Sequence, residues 1–289
     1  MSITVFYTPR MVADSLGYSP SARKPEQAVQ SWLQLGLPMH IAQPQPATRE
    51  QLCLAHSPSY VDGVLSGQKP NGFGNCSAQV AESLPYTSGA MLAAARCALD
   101  NGFGAVAPCS GFHHAGYSFG GGFCTFNGLM VAACTLLQEG GAKRIAILDL
   151  DMHYGNGTDD IINHLDLHNS IKHYTYAPSA KDAVAWLSRL DAIVDELCQG
   201  CDLLLYQAGA DSHINDPLGG YLSTQAMRMR DSIVFNAARN SGVPVAWNLA
   251  GGYQRLGNGS IRPVLELHDN TLKEFAVCFA GSGHLHLAA

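Results

Sequence analysis

Ile145-Ala146-Ile147-Leu148-Asp149-Leu150-Asp151-Met152-His153-Tyr154-Gly155-Asn156-Gly157 decides how the rest of the chain is read. The apolar run Ile145 to Leu148 reads as a buried strand that stops at Asp149. Asp149, Asp151 and His153 then recur at every second position, and residues two apart in extended chain point to the same side. Two carboxylates at the end of a buried strand are costly unless their charge is compensated. A divalent cation would compensate it; an acidic turn at a strand end is the plainer alternative. Gly155 and Gly157 let the chain turn away.

Outward from this strand, further short apolar runs alternate with helical patterns. Strands are expected at Ile3 to Tyr7, Gly104 to Ala107, Leu203 to Gln207 and Val243 to Leu249, beside Arg144 to Asp149. Helices are expected at Pro25 to Leu35, after the capping-type Thr48, at Pro58 to Leu65, Thr87 to Leu99, Asn127 to Gln138, Lys181 to Cys198 and Ser223 to Asn240, with a short one after Ile261. Gln68 to Asn75 reads as an exposed loop. Strands separated by helices imply an α/β fold with a mostly parallel central sheet covered on both faces. No linker, repeat or low-complexity stretch divides residues 1–289, so one domain is expected.

Composition narrows the function. With 47% hydrophobic and 14% charged residues the chain is globular, and its length can bury a large core. A net charge of −6 without a basic run disfavours nucleic acid and anionic membrane as partners. No apolar run approaches a membrane span, and the N-terminus lacks the pattern of a signal peptide. Nine cysteines, an odd number, lie mostly within apolar segments, which fits a reduced compartment and a cytoplasmic protein better than a disulfide framework. Cys198-Gln-Gly-Cys201 has no second pair to complete a zinc site.

In parallel sheets ligands bind at the carboxyl ends of strands. Here four strand ends carry polar turns: Cys109-Ser-Gly-Phe-His113-His114, the Asp149 cluster, Ala208-Gly-Ala-Asp211-Ser-His213 and Ala250-Gly251-Gly252-Tyr253. Asp151, His153 and Asp211 would give two carboxylates and an imidazole with positions left open, the pattern of a catalytic metal site. His113 and His114 would supply a general base and acid. Tyr253 could donate its hydroxyl to an oxyanion. Asp149 is better placed to orient His113 from behind. The bland readings are an ordinary loop pair for the histidines and a core aromatic for Tyr253. His213 could equally cap a loop and is left out of the ligand set. His164, His168 and His173 lie on a segment without glycine or acid partners and read as surface or core; His284 and His286 carry no pattern.

These motifs resemble the zinc-dependent histone deacetylase superfamily, which includes bacterial acetylpolyamine amidohydrolases on an arginase-like α/β fold. The resemblance rests on Gly111-Phe-His-His-Ala, Gly122-Phe-Cys, Asp149-Leu-Asp-Met-His-Tyr-Gly-Asn-Gly-Thr, Gly209-Ala-Asp-Ser-His-Ile-Asn-Asp-Pro-Leu-Gly-Gly and Gly251-Gly-Tyr, in family order across nearly the whole chain, with Ala47-Thr-Arg-Glu-Gln-Leu to His56-Ser-Pro-Ser-Tyr60 also of the family's look. It implies one zinc ion on Asp151, His153 and Asp211, tandem histidines with His114 the base and acid, and Tyr253 as oxyanion donor. It further implies Phe123 as a wall of the acyl-lysine tunnel and Leu218 near its mouth, with Gly122 and Gly252 beside the substrate. A potassium ion is implied near Asp149, the backbone carbonyls of Asp151 and His153, and Thr175. The implied substrate is an acylated lysine or acetylated polyamine; a homo-oligomer stays open.

The chain departs from the family at several points. Asn156 stands behind His114 where some members have an Asp, which removes a charge and lowers the expected basicity of His114. Tyr154 replaces a His that often follows the ligand His. The Tyr176-Ala-Pro-Ser segment shows no second wall aromatic, so a wider or shallower pocket is expected. Two other readings compete. An arginase-type ureohydrolase needs carboxylates where Gly155 and His213 stand. A non-catalytic metal-holding binding protein would not need Tyr253 or the histidine pair.

Overall fold

The computed structural model describes residues 2–175 and 181–279. In chain order, β1 (Ile3–Phe6) is followed by α1 (Lys24–Leu33), β2 (Met39–Ala42), α2 (Arg49–Ala55), α3 (Pro58–Leu65), α4 (Ala78–Asn101), β3 (Gly104–Ser110) and α5 (Gly128–Glu139). Then come β4 (Ile145–Asp149), α6 (Asn156–His164), β5 (Ile171–Thr175), α7 (Ala183–Leu187), α8 (Leu190–Cys198), β6 (Leu203–Gly209), α9 (Thr224–Asn240), β7 (Val245–Ala250) and α10 (Arg262–Phe279). The Tyr176 to Ser179 segment, His284 and His286 lie outside the described residues.

The strands form one parallel seven-stranded sheet in the order β2-β1-β3-β7-β6-β4-β5. The α/β reading with helices on both faces is therefore borne out. Side chains of each central strand alternate between two cores, as the pleat requires. Ala146 and Leu148 of β4 join Leu204 and Tyr206 of β6 in one core, where α1, α8, α9 and α10 pack. Ile145, Ile147, Leu203 and Leu205 join the other, beneath α2 to α5. This two-sided burial explains why these strands read as unbroken apolar runs.

Side-chain caps start helices α2, α4, α5 and α9. Thr48 accepts from the Gln51 amide at 3.2 Å while the Gln51 side chain accepts from the Thr48 amide at 2.9 Å, a capping box that starts α2. Asn127 caps α5 by accepting from the Met130 amide at 3.2 Å.

Several expectations need correction. Helix α4 begins at Ala78, nine residues before the expected Thr87, because Ser77 caps it and Pro85 is accommodated inside. The Pro85 carbonyl accepts from the Ala47 amide at 2.8 Å. The expected helix from Lys181 to Cys198 is two helices, broken between α7 and α8. Strands β2 and β5 and helix α6 were not expected, and the segment after Ile261 is the long α10.

The topology gathers the site. The four strands with polar turns, β3, β7, β6 and β4, are scattered in sequence but contiguous in the sheet. Their carboxyl ends therefore meet.

Candidate active site

Past β4, the chain turns so that Asp151 and His153 meet Asp211 from the end of β6. One donor atom from each lies within 4.8 Å of the others. Both carboxylates are buried, at 3% and 0% exposure, while the His153 side chain is 39% exposed, so the cluster opens to solvent on the imidazole side. His153 Nδ1 lies 3.2 Å from Asp151 Oδ1 and 3.1 Å from Asp211 Oδ2. Glycine is required twice behind this cluster. A Cβ on Gly209 would sit 2.4 Å from Asp151 Cα, and one on Gly251 would sit 2.2 Å from the Asp211 carboxyl carbon. The donor set of two buried carboxylates and one imidazole fits a divalent metal such as zinc.

Without a cation, protons on His153 and, towards lower pH, on Asp211 offset part of this buried negative charge. Hydrogen bonds donated by its ring to the Asp151 and Asp211 carboxylates lift His153 to about 10. Burial, then the charge of Asp151, raises Asp211 to about 7. Asp151 stays below the ordinary carboxylate range: burial pushes it up, but the charge of His113 and the hydrogen bond from His153 prevail.

His113 and His114 leave the end of β3 with ring centroids 4.0 Å apart, and His114 lies 6.0 Å from His153. His113 Nδ1 donates to Asp149 Oδ2 at 2.6 Å, the position expected of Asp149. Burial alone would lower the pKa of His113, but Asp149 and Asp151 outweigh it and bring it to about 9. His114 Nδ1 donates to Asn156 Oδ1 at 2.6 Å. Burial, then the neighbouring His113 charge, pushes His114 down, and the Asn156 hydrogen bond offsets only part of this. The pair thus separates into one charged and one neutral imidazole near neutral pH.

Tyr253 follows the Ala250-Gly251-Gly252 turn after β7 and is buried; its ring lies 5.7 Å from that of Phe123. Burial, then Asp151 and Asp211, holds its hydroxyl far above the usual phenol range, so it stays a proton donor. Phe123 has φ +66°, a conformation rare for a bulky residue, and its ring also meets Phe73 at 5.9 Å. Gly122, at φ +52°, has no room for a side chain, since a Cβ would lie 2.3 Å from the His114 ring. Gly252, at φ +87°, packs against Val264 and Ala210. Leu218 is exposed at the surface, its amide donating to Asp216 Oδ1 at 3.0 Å.

For the potassium expectation, Asp149 has both oxygens engaged. Oδ1 accepts from Gln207 Nε2 at 2.9 Å and from the Asp151 amide at 3.1 Å, and Thr175 Oγ1 accepts from the Gly155 amide at 3.0 Å. His213 does not face the cluster. Its Nδ1 accepts from the Asn215 amide and Gln254, and its Nε2 meets Thr224 Oγ1 at 3.0 Å. No carboxylate therefore occupies position 155 or 213 for a second metal. The His173 side chain is buried, as one of its two readings had it, but it does have an acid partner, with Nδ1 2.6 Å from Asp159 Oδ1. His164 stacks on Tyr117 with centroids 3.7 Å apart, and His168 meets Asn163 Oδ1 at 3.0 Å.

Sequence reading passed over four residues around the site. Gln207 accepts from the Phe112 amide at 3.0 Å while holding Asp149. Asp216 accepts from the Tyr253 amide at 2.7 Å. Gln207 lies near the end of β6 and Asp216 in the polar turn that follows it, so their place in these motifs is a usable signal. Lys24, fully buried on α1, donates to the Gly251 carbonyl; burial lowers it to about 8 against the pull of Asp211, Asp151 and Asp216. Arg230 is the fourth.

The chain matches the histone deacetylase domain family over residues 20–174. An uncharacterised protein of Picosynechococcus is 31% identical over 242 residues, which cover 75% of this chain and 80% of that one. Acetylpolyamine amidohydrolase 1 of Pseudomonas aeruginosa is 30% identical over 172 residues, 49% of this chain and 48% of that relative. Among solved structures, the HDA15 HD domain superposes with a TM-score of 0.75 at 18% identity, over 99% of this chain and 92% of that one.

Proposed function

Because the chain belongs to the histone deacetylase family of amide-hydrolysing enzymes, we propose that it is a zinc-dependent deacylase that frees an amine from its acyl group. Residues 1–289 are taken as one catalytic domain, since a single sheet gathers all four motif strands. The observation that carries the reading is the convergence of Asp151, His153 and Asp211 on one point beside a histidine pair with opposed pKa shifts.

Zinc held by these three residues would acidify a water molecule and polarise the acyl carbonyl. His114, neutral near pH 7, takes a proton from the attacking water and returns it to the leaving amine nitrogen. Asn156 fixes its tautomer by accepting from Nδ1, which leaves Nε2 free for that transfer. His113, charged and anchored on Asp149, lends positive charge to the developing anion. Tyr253 donates its hydroxyl to the oxyanion from the opposite turn.

The substrate we propose is an acylated lysine or an acetylated polyamine, in keeping with the family and with the name of the Pseudomonas relative. Phe123 would form the wall beside the acyl chain, Gly122 and Gly252 its close backbone approach, and Leu218 the rim. A potassium ion beside Asp149 is proposed on the family resemblance alone, with Thr175 and backbone carbonyls as further donors.

The test is metal content together with hydrolysis of acetyl-lysine peptide, longer acyl-lysines, acetylated polyamines and arginine. One equivalent of zinc with amide hydrolysis that His114→Ala abolishes is the expected result. Two equivalents of manganese with arginine turnover would overturn the reading in favour of a ureohydrolase.

A further inference from the structure

Arg230 lies on α9 with 0% exposure. Burying a guanidinium is costly unless its donors are used, and where they are used is informative. Nε donates to Asp231 Oδ1 at 2.8 Å. One terminal nitrogen donates to two backbone carbonyls at once, Gly209 at 2.7 Å and Leu150 at 3.2 Å. Leu150 immediately precedes Asp151, and Gly209 stands two residues before Asp211. The guanidinium therefore bridges the ends of β4 and β6 just before each delivers a carboxylate to the cluster.

The bridge is itself braced. Asp231 accepts from Tyr206 at 2.5 Å and from Thr271 at 2.6 Å, which ties Arg230 to β6 and α10. The Leu150 carbonyl also accepts from Ser212 at 3.1 Å, one residue beyond Asp211. The backbones have almost no slack here, as the absence of space for a Cβ on Gly209 shows. A strand ladder alone fixes neighbouring chains only as far as the ladder runs, and the β4–β6 register ends at Asp149 and Gln207. Beyond it, the spacing of Asp151 and Asp211 depends on what holds the two departing chains.

We propose that Arg230 is a positioning residue that sets the spacing of Asp151 and Asp211, and through it the affinity and geometry of the metal site. The Arg230–Asp231 pair adds little net charge, so it acts chiefly through geometry. The inference rests on the metal-site reading above.

The test uses the metal-stripped full chain. Zinc affinity is measured by chelator competition, and the visible absorption of the cobalt form reports ligand geometry. Arg230→Met is expected to weaken zinc binding by about 10- to 100-fold, the usual cost of losing a group that orients metal ligands, and to shift the cobalt bands. Val243→Ala, which loosens the same core at the amino end of β7, away from the bridge and both carboxylate-bearing strand ends, should leave both at wild-type values. Should Arg230→Met not fold, Arg230→Lys is read in the same way, since an ammonium cannot hold Asp231 and both carbonyls together. Wild-type affinity and cobalt bands in the folded arginine variant would overturn the proposal while the metal site stands. A wild-type chain that takes up no divalent metal would sink the site and the bridge together.

Discussion

Asn156 is the residue by which this site differs most tellingly from a version with an aspartate behind the second histidine. Its amide oxygen accepts from His114 without adding charge, so burial and the adjacent His113 keep the His114 pKa low. A base works in its neutral form, and activity should fall as pH drops through its pKa. An opposite charge at this distance raises a pKa by roughly one to three units. Asn156→Asp is therefore expected to move the acid limb of the kcat/KM profile to higher pH by about one unit or more. An acid limb that does not move would remove His114 as the titrating base. The same scale shows what a sequence displays and what it hides. Asp149, Asp151 and His153 were legible because alternation and charge at a strand end are visible in the letters themselves. Lys24 and Arg230 were not, because what ties them to the site is the carbonyls of Gly251, Leu150 and Gly209, and a backbone carbonyl leaves no mark on the residue that owns it.

Helix α6 couples the two halves of the site. Asn156 opens it, the amides of Gly157 and Thr158 donate to the His113 carbonyl at 2.8 and 3.1 Å, and a Cβ on Gly157 would sit 2.5 Å from the backbone of His114 and Ala115. Gly157→Ala should push the histidine loop away, costing about 1–3 kcal/mol as other overpacked substitutions do. Turnover should fall while metal content holds, since Asp151, His153 and Asp211 lie before or beyond the helix. Loss of zinc in this variant would show that the loop and the metal site are not separable. The element went unread because Gly155-Asn156-Gly157 looks like a turn; β2 and β5 went unread because edge strands are only half covered and carry no apolar run. The loop has a second anchor with its own pH signature. His56 Nδ1 donates to the Gly116 carbonyl at 2.8 Å, and Nε2 accepts from the Asn127 amide at 2.9 Å, so the ring must be neutral. Burial holds its pKa down at about 4, against the ordinary 6.5 of an imidazole. A depressed pKa gives stability that is present above pH 6.5 and lost as pH falls towards 4, on the order of 3 kcal/mol in all. Urea titrations at pH 7 and 5 should show about 2 kcal/mol of that loss, and His56→Asn should flatten it; an equal slope in the variant would assign the pH dependence elsewhere.

Across the whole molecule, buried charge is out of balance at one place. Asp149, Asp151, Asp211 and Asp216 lie at 0–7% exposure around the site, against the buried cations Lys24, Arg230 and His113, of which Arg230 is already paired with Asp231 and His113 with Asp149. Without a metal the cluster compensates with protons, which is why His153 stands near 10 and Asp211 near 7. Metal ligation needs a neutral imidazole and an ionised carboxylate, so binding must expel what the cluster holds. At pH 8 His153 is protonated in the metal-free protein and Asp211 is mostly ionised, and zinc uptake should release about one proton. Below pH 7 Asp211 carries a second, and the number should rise towards two. Zinc affinity should accordingly climb about tenfold per pH unit near pH 8 and more steeply below 7. Calorimetry in two buffers of different ionisation enthalpy counts the protons directly, and chelator competition across pH gives the slope. Proton-free binding with an affinity indifferent to pH would mean that the three donors are already bare, and that some other cation, not protons, balances the carboxylates of this site.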